Sequence, residues 1–134
     1  MHDGTIYLIY SGSLVGIDYT TGLVTAPAGQ EADLTDPNVW TKLDYPLQKS
    51  GVHNEQWQLG TGHGMWSNDE DGNLIYVFHN AEYENGRYGG RDAQVRRVHW
   101  SKEGMPILDM QAAEELNPDY ADITMKIVVS GNKG

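Results

Sequence analysis

The chain has no cysteine among its 134 residues, so neither disulfides nor thiolate metal sites support the fold, and the redox compartment is left open. Basic residues are scarce: 9 Lys and Arg stand against 19 Asp and Glu, a net charge of −10. That is the wrong sign for a phosphate backbone or an anionic membrane surface, so neither nucleic acid nor membrane is expected as a partner. Long apolar runs are missing as well. The opening MHDGTIYLIY has no basic n-region, and tyrosines interrupt its short apolar run. No signal peptide is therefore read in this chain, and no segment predicts a bilayer-spanning helix; a soluble chain is expected.

The chain does hold 16 glycines, 8 tyrosines and 4 tryptophans within a length that fits one ordinary domain. This composition predicts many short strands joined by tight turns. An acidic, aromatic-rich chain also suits carbohydrate handling, because sugar C–H faces pack on aromatic rings and carboxylates bond hydroxyls.

Thr5 to Ser11 (TIYLIYS) is apolar on both alternating faces, which predicts a strand covered on both sides. His2-Asp3-Gly4 before it reads as a hairpin turn whose preceding strand would lie ahead of Met1. Gly16 to Ala26 predicts a second strand with a bend or bulge at Thr21-Gly22. Residues 27–37 form a loop in which Asp33 to Pro37 suggests a helical or Asx-type turn, ahead of a brief outer strand at Trp40 to Leu43. Residues 44–58 read as a connection broken at Pro46 and Ser50-Gly51.

Four strands are expected next, at Gly62 to Ser67, Asn73 to Asn80, Asp92 to Trp100 and Met105 to Leu108. Asp71-Gly72 and Lys102 to Gly104 supply turns, and Glu82 to Gly90 a longer polar loop. Such a succession describes a propeller blade or a four-stranded meander. Met110 to Leu116 predicts one or two helical turns before Asn117-Pro118, and Ile123 to Val129 a final strand. The expected class is all-β, with antiparallel four-stranded blades forming part of a β-propeller.

Among residues that could carry chemistry, Gly60-Thr61-Gly62-His63-Gly64 stands out. Glycines beside a histidine let the backbone turn sharply and approach a ligand or another segment closely. Two readings stay open for His63: a channel-facing imidazole at the start of an inner strand, or a core histidine bonded to a nearby carbonyl. On the strand around Gln94, alternation places Arg91 and Arg97 on one face, Gln94 and Arg96 on the other. Surface arginines balancing excess acid would explain most of these. His79 and His99 read as packed histidines, and Asp69-Glu70-Asp71 as a solvated turn rather than a calcium loop.

GTGHGMWSNDEDGNLIYVFHNAEY, followed by GRDAQVRRVHWSKEGMPIL, resembles glycoside hydrolase family 43, the five-bladed β-propellers that include arabinofuranosidases, xylosidases and arabinanases. Gly60, Gly62, His63, Asp71, Gly72, His79, Trp100, Gly104 and Pro106 occupy the family's motif positions. Thr61 stands where proline is common, Gly64 where asparagine is usual, and Gln94 where an arginine is common. The likeness covers nearly the whole chain but less than half of the family's catalytic domain, about two of five blades. It implies an incomplete penultimate blade over residues 1–45, the last blade over 59–109, and a tail with a closing strand over 110–134.

In the family, a base aspartate, an orienting aspartate and an acid glutamate lie on earlier inner strands, the glutamate on the strand just before the one matching Thr5 to Ser11. The resemblance therefore assigns no catalytic residue to this chain. It implies substrate contacts from His63, Arg91 and Gln94, and a calcium ion at the propeller centre touched by His63. The expected function is that of a C-terminal fragment or split half of a glycosidase, inactive alone. Completed by its missing N-terminal half, it would hydrolyse arabinose- or xylose-containing polysaccharides of plant cell-wall type by inversion. Self-association through exposed strand edges would be the substitute. The alternative is a non-catalytic carbohydrate-binding or interaction module with Trp57, Trp66 and Tyr83 as its platform. An intact small enzyme using Asp3, Glu55 or the Asp69 cluster has no support from their placement.

Overall fold

The computed structural model describes residues 1–85 and 87–115. Apart from a 3₁₀ turn at Pro37–Val39 and the short helix α1 (Ala112–Glu115), its elements are strands, and every paired strand is antiparallel. The expected all-β class, with its antiparallel sheets, is the one observed.

Strand β1 (Thr5–Gly12) follows a tight turn at Asp3-Gly4, whose φ angles of 43° and 72° suit a two-residue hairpin. It pairs with β2 (Thr20–Pro27) in unbroken register from Thr5↔Pro27 to Gly12↔Thr20, and β2 carries the short β3 (Thr41–Lys42) on its far side. The bend expected at Thr21-Gly22 is absent. Gly22 lies opposite Tyr10, and a Cβ there would fall 2.3 Å from the ring, so this glycine makes room for a side chain. Asp36 caps the 3₁₀ turn, its carboxylate accepting from the Asn38 N–H at 2.9 Å.

The stretch read as a connection over 44–58 holds β4 (Gly51–His53), which folds back on β5 (Gln56–Asn68) around Asn54 and Glu55. Both turn residues sit at positive φ, 48° and 64°, without glycine to announce it. From β5 the chain passes through the Asp69–Gly72 turn into β6 (Leu74–Glu84), which pairs with β7 (Arg87–Arg97). The long loop expected over 82–90 is mostly ladder: Tyr83 faces Tyr88 and Glu84 faces Arg87, cross-strand pairs that hold the hairpin to its tip. The single strand expected over 92–100 breaks at Val98, whose N–H donates to the Leu74 carbonyl at 3.0 Å. Beyond it β8 (His99–Trp100) pairs with β9 (Pro106–Ile107) as a separate ribbon. Helix α1 falls inside the expected helical stretch, and the strand expected at Ile123 to Val129 lies outside the described residues.

The core forms where the β1–β2–β3 sheet packs on one face of β5–β6–β7. Alternation along β6 turns Leu74, Tyr76 and Phe78 to that face, and the buried cluster of Tyr76, Phe78, Val98 and Leu108 gathers Ile9, Leu47, Trp66 and Trp100 around it. The Tyr76 hydroxyl shares a 2.7 Å hydrogen bond with the Thr21 hydroxyl and donates to Gln48 Oε1 at 3.2 Å, which satisfies a polar tip in an otherwise apolar site. The opposite face of the same sheet is differently placed. Met65, Val77 and Val95 lie side by side across three strands, and Met65 and Val95 remain 60% and 59% exposed. Of the two apolar faces of Leu74 to Phe78, the described residues cover one.

Candidate functional site

Three glycines within five residues shape the site. A Cβ on Gly60 would lie 2.5 Å from the Tyr88 hydroxyl, one on Gly62 2.7 Å from the Tyr19 ring, and one on Gly64 2.3 Å from the Tyr76 ring. Each tyrosine thus rests on bare backbone, and the Tyr88 hydroxyl also donates to the Gly60 carbonyl at 2.9 Å. Register shifts between Leu59 and Gly62 and again between Gly62 and Met65 mark two irregularities in β5, and His63 lies in the second. His63 adopts φ 53°, a left-handed conformation that costs a non-glycine residue energy. Its side chain is exposed. The open question from sequence is thereby answered: the imidazole is presented outward rather than packed in the core.

His63 has a ring neighbour in His79 on β6, at 6.2 Å between centroids, and His79 in turn stacks against Tyr19 at 5.8 Å. His79 Nε2 is buried without a hydrogen-bond partner. Burial, then the Arg91 charge, then His63, push its pKa below the ordinary imidazole value. Arg91 pairs across the ladder with Ala81, which puts it on the His79 face of the sheet, and its guanidinium lies 5.5 Å from the Tyr88 ring centroid. Together these groups make a cationic, aromatic-walled patch able to hold polar groups by hydrogen bonds and apolar ring faces by stacking.

The structure does not bring Gln94 to this patch. Opposite Phe78 and facing the interior, Gln94 donates from Nε2 to Asn80 Oδ1 at 2.9 Å and accepts from Gln58 Nε2 at 3.3 Å. Arg96 is on the same interior side, over the Phe78 ring, while Arg97 is exposed. The split read from alternation along β7 is the observed one. Asp69 is engaged by its own turn: it accepts from the N–H groups of Asp71 (3.0 Å) and Asn73 (2.7 Å) and from the Asn73 amide, bonds that lower its pKa. Among the described residues no group of three His, Asp or Glu side chains is placed to hold a metal. The donors at the patch are imidazole nitrogens, whereas calcium takes about six to eight oxygens, so these residues do not of themselves make the calcium site that the resemblance implies.

Sequence reasoning missed Tyr19 and Tyr88. Three alternating glycines do signal three bulky neighbours, but nothing in the sequence says which side chains they are. Thr61 is fully buried with its hydroxyl unpartnered.

The described residues thus form blade-like antiparallel sheets, with a glycine-flanked histidine presented from a bulged strand. The profile of glycosyl hydrolases family 43 matches residues 1–106, and the chain belongs to that family. It is 30% identical over 125 residues to an extracellular exo-α-(1→5)-L-arabinofuranosidase of Streptomyces avermitilis, covering 87% of this chain and 25% of the relative. To the α-L-arabinofuranosidase 43 of Humicola insolens it is 34% identical over 110 residues, covering 78% and 22%. The crystal structure of an α-L-arabinofuranosidase from Lactobacillus brevis superposes with a TM-score of 0.67 at 29% identity, over 78% of this chain and 33% of that one. The fold is also that of a thermostable family-43 glycoside hydrolase, with a TM-score of 0.62 at 22% identity, over 82% and 33%. The chain therefore spans about a quarter of the length of the curated relatives it matches.

Proposed function

We propose that this chain supplies one side of a glycosidase channel, which cleaves O-glycosidic bonds in arabinose- or xylose-containing polysaccharides once further blades complete it. Residues 1–45 then belong to the penultimate blade and 59–109 to the last. The observation that carries the reading is the exposed His63 imidazole, held out by strained, glycine-flanked backbone beside His79. Strain of that kind persists where the surrounding structure enforces it, often at a ligand site.

Inverting hydrolysis needs one carboxyl to protonate the leaving oxygen and a second to activate water on the opposite face. No Asp or Glu of this chain matches a catalytic position of the family, so both are assigned to the completing blades. In this chain His63 and Arg91 bind and orient the sugar, while Gln94, turned to the interior and bonded to Asn80 and Gln58, stands apart from that patch. Alone, the chain is inactive. The test combines the purified chain with the N-terminal blades of a family relative and measures hydrolysis of aryl α-L-arabinofuranoside and aryl β-xyloside. Activity is expected only in the combination, and at least about tenfold weaker with His63→Ala. Hydrolysis by the chain alone, abolished by substituting Asp3, Glu55 or Asp69, would overturn the proposal.

A non-catalytic sugar-binding role has one observation in its favour: Trp57 is 70% exposed and Tyr83 45% exposed. Trp66, the third ring of that platform, is instead engaged in packing; its Nε1 donates to the Tyr7 carbonyl at 3.2 Å, and it lies against Tyr76. Glycan-array binding lost on Trp57→Ala would favour this second role.

A further inference from the structure

Trp57 lies two residues before Leu59 on β5, and Tyr83 two residues after Ala81 on β6; Leu59 and Ala81 are paired. Alternation therefore sets both rings on the face of the sheet that carries His79. Their neighbours agree. Gln58, next to Trp57, bonds the interior Gln94 and Arg96, so Trp57 projects the other way. Tyr83 pairs with Tyr88, whose ring lies against Arg91 on the His79 face. Both rings are exposed among the described residues, and both sit on anchored backbone. Tyr88 stands at 84° to Tyr83 and is itself tied by its hydroxyl to the Gly60 carbonyl. The hairpin that carries Trp57 is clamped at its tip. There the Asn54 N–H donates to Gln111 Oε1 at 2.6 Å, and Asn54 Oδ1 accepts from the Ala112 N–H at 2.7 Å.

We infer that Trp57 and Tyr83 form a second sugar subsite on the same strip of surface as His63 and Arg91, so that the site takes an extended neutral oligosaccharide rather than a lone terminal sugar. The inference rests on the reading of His63 and Arg91 as sugar-binding groups. Tyr83 is four residues beyond His79 on β6, roughly 13 Å at the usual strand rise. One sugar ring does not span that distance, whereas a short chain of them does. Each unit of such a chain offers an apolar C–H face to a ring and hydroxyls to polar groups. That matches a strip with imidazoles and a guanidinium at one end and two uncharged rings at the other. Rings held in place before the ligand arrives lose little freedom on binding, which makes them effective anchors.

The test titrates the full chain with arabinose, with xylose and with the linear oligosaccharides of each up to the hexamer. Calorimetry reads the affinity, and ¹⁵N-edited NMR reads the Trp57 indole N–H signal. Affinity is expected to rise with chain length and level off once the oligomer spans both ends of the strip, the Trp57 signal shifting only for the longer members. Trp57→Ala and Tyr83→Ala are each expected to weaken hexamer binding by at least about fivefold. Tyr83→Phe, which keeps the ring, is expected to change it by less than about twofold. Affinity independent of length, or hexamer affinity unchanged in both alanine variants, would overturn the inference; binding that still depends on His63 would then leave the channel reading standing. Hexamer binding lost in Trp57→Ala but indifferent to His63→Ala would also overturn it, in favour of a separate platform. Binding of no member of either series would overturn the inference and the channel reading together.

Discussion

Thr61 is fully buried and its hydroxyl bonds nothing. An orphaned buried polar group costs about 1–3 kcal/mol, so replacing the hydroxyl by an isosteric methyl relieves a cost without opening a hole. Thr61→Val is expected to stabilise the chain by about 1 kcal/mol, read as a higher urea midpoint with unchanged slope. His79, in the same neighbourhood, makes stability depend on pH. Its folded pKa is depressed below the ordinary value of 6.5 by burial first, then Arg91 and His63. The unfolded chain therefore takes up the proton first as pH falls. The stability tied to the neutral ring is present above the unfolded value and is lost as pH drops through the folded one. Denaturant unfolding followed from about pH 8 down to pH 5 should show this decline. His79→Gln should flatten it. A residue type at a motif position was readable here, but the direction of its pKa shift depends on neighbours distant in sequence.

At the scale of the strand, β5 is shaped by side chains from elsewhere in the fold. Gly64→Ala would drive a methyl into the Tyr76 ring, which is completely buried and has nowhere to retreat. Overpacking of that kind costs about 1–3 kcal/mol. Gly90→Ala is the control: the nearest atom to its Cβ would be Glu82 Oε2 at 3.9 Å, and the position is exposed, so a change within about 0.5 kcal/mol is expected. Thermal or urea unfolding of the two variants separates them. The same contrast explains which turns were legible. Asp71-Gly72 and Lys102 to Gly104 carry glycines at φ 84° and 76° and could be read directly. The β4–β5 hairpin turns on Asn54 and Glu55, and the β6–β7 hairpin includes Asn85 at φ 52°, so both were read as loop. Gly22 misled in the opposite sense, because a glycine that accommodates a ring looks, in sequence, like one that bends a strand.

For the molecule as a whole, the decisive feature is the apolar row of Met65, Val77 and Val95, left uncovered among the described residues, together with β1, an open edge of its sheet among those residues. Leu8 on that edge strand is 46% exposed. Apolar sheet faces and unpaired edges promote association. The purified chain is expected to run above its monomer mass of 14.9 kDa, with a mass that rises with concentration, in chromatography coupled to light scattering. The double variant Met65→Lys with Val95→Lys should shift it toward monomer. A concentration-independent monomer of the unmodified chain would count against an interface here.

Local patterns were enough to read the class, most strands and the glycine-flanked histidine, because alternation and positive-φ glycines act within a few residues of where they are written. They were also enough to separate Arg91 from Gln94, since the two faces of a strand follow from parity alone. What depended on packing was the partner of each group. His63 faces outward because Tyr19 and Tyr76 occupy the space over Gly62 and Gly64, and Gln94 turns inward to Asn80 and Gln58. Gln48 and Arg96 line one cavity although 48 residues of sequence number separate them. Contacts of that range are set by how sheets stack, and no local pattern in the chain encodes them.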